Sequence, residues 1–274
     1  ALGCACGYLL GGRYPMEWAP VDAGEHSGVE ESKARLLALG VPDYVLNDLT
    51  AEDLAACDGA IQVVVDVDDY PVNSGRVEPY WPGSSAARTV YDVKELRITG
   101  VGVELPGERW MLIQHFLWTT PPGFRGTESI QLWPAYRAGM EGWRSGGTLT
   151  GRVLYDEGGQ TYAAPYCFLG EQTFAYDSLF WGQQIRDDLF AAFSLPRDGA
   201  NCRGYLAYPI ERVRDGYIVD GWFNYTHQQS WMQYPVMTAM ENQMTNGWNW
   251  EGVFYEVSTA LQFYQNEEGV RLLG

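Results

Sequence analysis

Residues Asp187–Tyr234 read DDLFAAFSLPRDGANCRGYLAYPIERVRDGYIVDGWFNYTHQQSWMQY. The stretch predicts three successive strands, at roughly 188–194, 203–213 and 216–227, the last two joined by the turn Arg214-Asp215-Gly216. Asp-Gly between runs rich in Tyr, Ile and Val predicts a hairpin, because Gly accepts the positive φ of a tight turn. On the last strand Tyr217, Val219, Phe223 and Tyr225 fall on one face, with Gly221 between them. Ile218, Asp220, Trp222, Asn224 and Thr226 fall on the other. Alternation of an apolar with a more polar face marks a sheet packed on one side. Asp220, Trp222 and Asn224 are therefore candidates to touch a ligand, if the wetter face forms a groove. The alternative is a Trp222 that covers a sheet edge between two solvated neighbours.

Working outward, strands recur at the spacing of a sandwich: 91–105, 109–119, 127–134, 148–156, 160–169 and 172–181. Glu157-Gly158-Gly159-Gln160 and Leu105-Pro106-Gly107-Glu108 predict two further hairpins. The composition agrees: 14% aromatic residues, 32 glycines and only 19% charged residues favour an all-β chain over a helical bundle. A length of 274 residues suffices to bury a sizeable core without staples. The expected fold is mainly β: a β-sandwich or jelly-roll-like pair of antiparallel sheets, with a short N-terminal helical segment and one or two C-terminal helices.

Ahead of the strands, residues 27–59 carry helix punctuation. Ser27-Gly28-Val29-Glu30 has the form of a capping box, and that helix stops at Gly40. Pro42 suits a helix start, with Asp43–Leu49 following. Thr50-Ala51-Glu52-Asp53 opens a third helix, with Leu49 and Leu54 as a hydrophobic staple and Gly59 as its stop. Leu36, Leu37, Leu46, Leu49 and Leu54 supply an apolar stripe that packs on the sheets or binds a partner. After residue 234, Pro235 and the stripe Met237, Met240 and Met244 predict a helix of core-filling residues. Val257, Ala260, Leu261 and Tyr264 predict a last helix at 256–265.

Residues 1–12, ALGCACGYLLGG, are apolar and uncharged, and too short to span a bilayer. They read as the end of a signal peptide or of an N-terminal membrane anchor, or else as a buried first strand. The order of residues before Cys4 departs from a lipoprotein acylation site. The expected organisation is an anchor remnant and polar linker over 1–26, a helical segment over 27–59, and a β-rich domain with C-terminal helices over 60–274. The protein is thus expected to be extracytoplasmic, secreted or held at the cell envelope, with membrane contact only through its N-terminus.

The net charge of −17 excludes nucleic acid, whose phosphates require a basic surface, and adsorption to anionic lipid. None of the five cysteines forms a Cys-x-x-Cys pair; Cys167 and Cys202 sit in strands, as a disulfide or as buried thiols. Ile61–Asp68 reads as a strand of branched residues, central in its sheet, and 71–89 as a long loop. Asp66, Asp68 and Asp69 invite a calcium reading, but Tyr70 and Pro71 break the EF-hand loop, leaving a solvated acidic strand end.

No phosphate loop, dinucleotide fingerprint, H-E-x-x-H or G-x-S-x-G occurs, so the sequence implies no cofactor and no metal. Two constellations remain. Trp110, Trp118, Trp133, Trp143, Trp181 and Trp222, with Glu128, Glu171, Asp177 and Asp220, are the residue types that stack on sugar rings and bind their hydroxyls; tryptophans also fill sandwich cores. His115 and His227 lie in aromatic strands, where neighbouring imidazoles would share a site; a single strand histidine is otherwise structural. The candidate ligand-binding residues are therefore Trp222, Asp220, Asn224, His115, His227, Trp118 and Trp181. The expected function is a binding or sensory ectodomain for a carbohydrate or an envelope protein. The alternative is a glycoside-hydrolase-type enzyme using paired carboxylates on a jelly-roll scaffold.

Overall fold

The computed structural model describes residues 13–70, 75–79, 87–91, 95–133, 143–178, 182–212, 218–228, 254–266 and 269–272. Among these, sixteen strands, numbered along the chain, form three antiparallel sheets. The larger sheet runs β1 (Ala19–Pro20), β10 (Gln160–Ala164), β9 (Thr150–Glu157), β13 (Ala200–Arg212), β6 (Arg109–Trp118), β5 (Leu96–Leu105) and β2 (Gln62–Tyr70), and β8 (Trp143–Ser145) adds to β13. The smaller runs β11 (Phe168–Ser178), β12 (Gly182–Ser194), β7 (Thr127–Trp133), β14 (Ile218–Gln228), β15 (Phe254–Asn266) and β16 (Gly269–Leu272). β3 (Gly75–Pro79) and β4 (Ala87–Tyr91) pair as a two-stranded ladder, within and just beyond a stretch expected to be loop.

Alternation on β6 builds the three layers. Trp110, Leu112, Phe116 and Trp118 point between the sheets, where they meet Ile130, Leu132, Phe193, Phe223 and Tyr225. The rings of Phe116 and Phe193 stack at 5.3 Å, and Tyr225 tilts against Phe116 at 5.0 Å. Each such ring removed from water stabilises the fold by about 1.5–3 kcal/mol. Met111 and Ile113 point the other way, with Val101 and Val103 of β5. There they meet Leu36 of α1 (Glu30–Leu39), Val45 and Leu46 of α2 (Asp43–Leu46), Leu49, and Leu54 of α3 (Ala51–Ala56). Of the expected apolar stripe only Leu37 is left exposed.

The deciding stretch is three strands, as expected, but they alternate between sheets. β12 and β14 belong to the smaller sheet and β13 to the larger. The Asp215-Gly216 hairpin is thereby overturned, since β13 pairs with β6, β8 and β9 while β14 pairs with β7 and β15. Leu206, Tyr208 and Ile210 of β13 and Phe223 and Tyr225 of β14 enter one core from opposite sides. A turn signal reports a reversal of the chain, while the shared core selects the partner strand. The other two predicted hairpins hold. Gly158 and Gly159, at φ 59° and 81°, join β9 to β10, and Gly107, at φ 80°, lies between β5 and β6.

Several further expectations are corrected. The helix expected at 256–265 is β15, paired with β14 on one side and β16 on the other. Val257, Thr259 and Phe263 favour extended backbone, and ladders on both sides outweigh an apolar spacing compatible with either period. β2 ends its sheet and is not central. It lacks alternation because both faces are covered, Val64 by the sandwich core and Val63 and Val65 by the helices. Ser27 caps nothing; Val29 occupies the N-cap of α1, and Gly28 N donates to the Glu30 carboxylate at 2.8 Å. The second helix ends at Leu46, earlier than expected, with Pro42 at its N-cap. Thr50 does cap α3, its hydroxyl oxygen accepting from Asp53 N at 3.1 Å. Cys57, Cys167 and Cys202 are free thiols. The expectations for residues 1–12 and 235–246 lie outside the described residues.

Candidate functional site

Two buried carboxylate–histidine pairs lie on opposite faces of the larger sheet. Between the sheets, Glu128 of β7 and His227 of β14 are register partners, both with no solvent exposure. Nδ1 of His227 lies 2.8 Å and 3.0 Å from the two carboxylate oxygens. Trp118 Nε1 donates to the Tyr225 hydroxyl at 2.9 Å, and that hydroxyl hydrogen-bonds Glu128. Burial pushes the Glu128 carboxyl up, and His227, Tyr225 and Arg13 pull it back. Nε2 of His227 is buried without a hydrogen-bond partner.

Under the helices, Nε2 of His115 lies 2.7 Å from Asp48, at side-chain exposures of 0% and 2%. Arg203 Nε donates to the other Asp48 oxygen at 2.7 Å and its Nη1 lies 3.0 Å from Asp156. Arg152 donates from Nε to the Asp48 carbonyl at 2.9 Å and reaches Glu25 with both of its terminal nitrogens. Asp53 accepts from Tyr205 and, at 2.7 Å, from the Thr150 hydroxyl. Carboxylates from the helical segment, Asp53 within α3 and Asp48 and Glu25 in its turns, thus meet donors on the sheet.

A third feature is open. Residues 13–20 form a strap across one end of the sandwich. Tyr14 N donates to Ser194 Oγ at 2.8 Å, Arg13 bonds the carbonyls of Arg125 and Leu195, and β1 pairs with β10. The strap closes a pocket of about 300 Å³. Arg13, Tyr14, Met16 and Trp18 form one wall, Tyr155 and Glu157 a second, and the loop Leu195–Asp198 a third. The Trp18 and Tyr155 rings meet edge to face at 4.8 Å, and Tyr162 stacks behind Tyr155 at 5.2 Å. Glu157, Arg197 and Asp198 are exposed, and among the described residues their side chains form no hydrogen bond or ion pair. A pocket with aromatic walls and unsatisfied charges at its rim binds a small polar molecule with an apolar face.

Among the described residues, the sequence-selected side chains do not converge. His115 faces the helices and His227 the sandwich core, with the larger sheet between them. Both are sealed, as is Trp118, so none of the three meets a ligand as placed. Trp110 and Glu128 are likewise buried, whereas Glu171 lies on the surface of β11. Asp220, Trp222 and Asn224 lie on β14, paired across to Gln262, Ala260 and Ser258. Their side chains, and Trp181 altogether, lie outside the described residues. Asp69 is held by Arg97 at 2.8 Å and 3.1 Å. Among the described residues, no three His, Cys, Asp or Glu side chains gather to hold a metal ion. No described helix is long and apolar enough to cross a membrane.

The pocket residues escape a reading that takes 13–26 as linker. Their signal was the alternation Tyr14, Met16, Trp18, with exposed Pro15 and Glu17 between them. That period of two marks an extended segment seeking a sheet. Fold and site together define a helix-capped β-sandwich with a surface pocket beneath an N-terminal strap. Neither the family models nor the curated proteins contain a match to the chain.

Proposed function

We propose that the protein is a non-catalytic binding or sensory ectodomain whose ligand is a carbohydrate held in the strap pocket. The observation that carries this reading is the pocket's wall, in which Trp18 and Tyr155 stand beside three charged side chains without partners among the described residues. Sugars offer one C–H face to an aromatic ring and hydroxyls to charged groups. A volume of about 300 Å³ suits a single sugar-sized group. The two carboxylate–histidine pairs are sealed, and a catalytic acid or base must come within hydrogen-bond reach of its substrate. An extracytoplasmic location is part of the proposal and rests on the apolar, uncharged character of residues 1–12.

One observation favours a glycan-cleaving enzyme as the second reading: Glu157 and Asp198 line the same pocket. A glycosidase needs two carboxylates flanking the scissile bond. A glycan-array screen of the full chain, followed by mass analysis of each hit after incubation, separates the two. The expected result is binding without cleavage, weakened about tenfold by Trp18→Ala. Cleavage abolished by Glu157→Gln or Asp198→Asn would establish the enzyme. Absence of binding to every glycan would end the carbohydrate reading.

A further inference from the structure

The protein carries 35 acidic against 18 basic residues, yet arginines gather at this pocket. Arg13 and Arg197 line it, and Arg125 Nη1 reaches the carbonyl of the lining residue Pro196 at 3.5 Å. Arg13 is immobilised by the carbonyls of Arg125 and Leu195, so its charge is fixed in place. Arg197 is exposed and without a partner among the described residues. The mutual repulsion registers on Arg13. Burial, then Arg197, then Arg125 hold its guanidinium below the ordinary arginine value, opposed only by Glu128 in the sealed core. Like charges held together with incomplete compensation form an anion site.

Two carboxylates line the same pocket, Glu157 beside Tyr155 and Asp198 next to Arg197 in the loop. Glu157 and Asp198 lie close enough to Tyr155 to help raise its phenol, behind the larger effect of burial. A polyanion would meet repulsion from these carboxylates. A molecule with one acidic group and several hydroxyl donors satisfies both kinds of charge, because carboxylates accept hydroxyl protons while guanidinium forks pair with a carboxylate.

We infer that the pocket takes an acidic saccharide, whose carboxylate sits among Arg13, Arg125 and Arg197, whose ring lies against Trp18, and whose hydroxyls reach Glu157 and Asp198. This rests on the carbohydrate-binding reading above and narrows it to uronate- or sialate-type sugars.

The test is calorimetric titration of the full chain with a galacturonate trisaccharide and sialyllactose, with the methyl ester of each, and with lactose. One of the acids binds, its ester binds about tenfold more weakly, and Arg197→Ala loses about as much as esterification. Raising the salt concentration weakens the acid and leaves the ester unchanged. Arg197 is exposed, so the variant keeps the wild-type circular dichroism spectrum. Equal binding of acid, ester and lactose, sensitive to Trp18→Ala, would overturn the acidic ligand while leaving the sugar-binding reading intact. Binding of none of the five would overturn the acidic ligand, and the glycan array would then decide the sugar-binding reading.

Discussion

Asp48–His115 and Glu128–His227 are the same two chemical groups, buried to the same degree, on opposite faces of one sheet. Their surroundings differ. Asp48 is ringed by cations: Arg203 takes its free oxygen, and Arg152 takes the carbonyl of the same residue. Glu128 has a neutral hydroxyl and an imidazole, with Arg13 acting only through space. The helix-facing carboxylate therefore belongs to an ion network that pins the helical layer to the sheet. The core-facing carboxylate shares a proton-bearing contact with His227, and burial dominates it. The difference teaches that a buried acid–histidine pair has no fixed worth; its neighbours decide whether charge is welcome.

The largest expected effect comes from breaking the first pair. Asp48→Ala leaves His115 Nε2 without an acceptor and one arm of the Arg203 contact empty. Removing one partner of a buried ion pair costs about 3–5 kcal/mol. Urea denaturation should show that loss as a lower midpoint at an unchanged slope. A midpoint shift worth less than about 0.5 kcal/mol would show that Asp48 does not hold the helices down.

The second pair should respond to protonation instead. The folded pKa of Glu128 lies above its ordinary 4.5, so between the two values the folded state holds more protons than the unfolded one. Stability from this group is therefore present at low pH and lost as pH rises from about 4.5 through the folded value. Asp156 has the opposite sign. Its folded pKa lies below 3.8, through the combined hydrogen bonds of Asn201, Thr161 and Arg203 and the Arg203 charge, which outweigh burial. Its contribution is present above 3.8 and is lost as pH falls through the folded value. Glu128→Gln should lie within about 1 kcal/mol of wild type near pH 5 and gain on it as pH rises. Parallel stability curves for the two proteins from pH 5 to about 8 would remove Glu128 as the source.

The same contrast explains what the sequence disclosed. Strand positions follow from residues such as Phe223 and Tyr225, whose alternation is local, and from Gly158 and Gly159, whose turn is local. Sheet membership does not, because β13 and β14 were separated by a core assembled from β6, β7 and β12. Burial of His115 and His227 was hidden for a similar reason. Each is sealed by residues 67 and 99 positions away in the chain, Asp48 and Glu128. The pocket was hidden more deeply, since Trp18 meets Tyr155 only after the strap crosses the sandwich. Local pattern reports which face a side chain takes; what covers that face is a long-range fact.

Two thiols make the comparison measurable in one experiment, with the smallest effect. Cys57 lies in the helix-facing cluster and Cys202 in the sandwich core. Burial and then Asp53 push the Cys57 thiol up to about 12, and burial pushes Cys202 up to about 11 against the opposing pull of Arg125. Neither is a thiolate near neutral pH, so a thiol-reactive probe reaches each one only when its layer opens. In mild urea, peptide mass analysis should find Cys57 labelled before Cys202, because short helices held by an ion network detach at lower cost than a doubly covered sheet. Asp48→Ala should accelerate Cys57 alone and widen that gap. If both thiols accelerate together in the variant, the helical layer and the sandwich open as one unit. The two carboxylate–histidine pairs would then be coupled through the larger sheet that separates them.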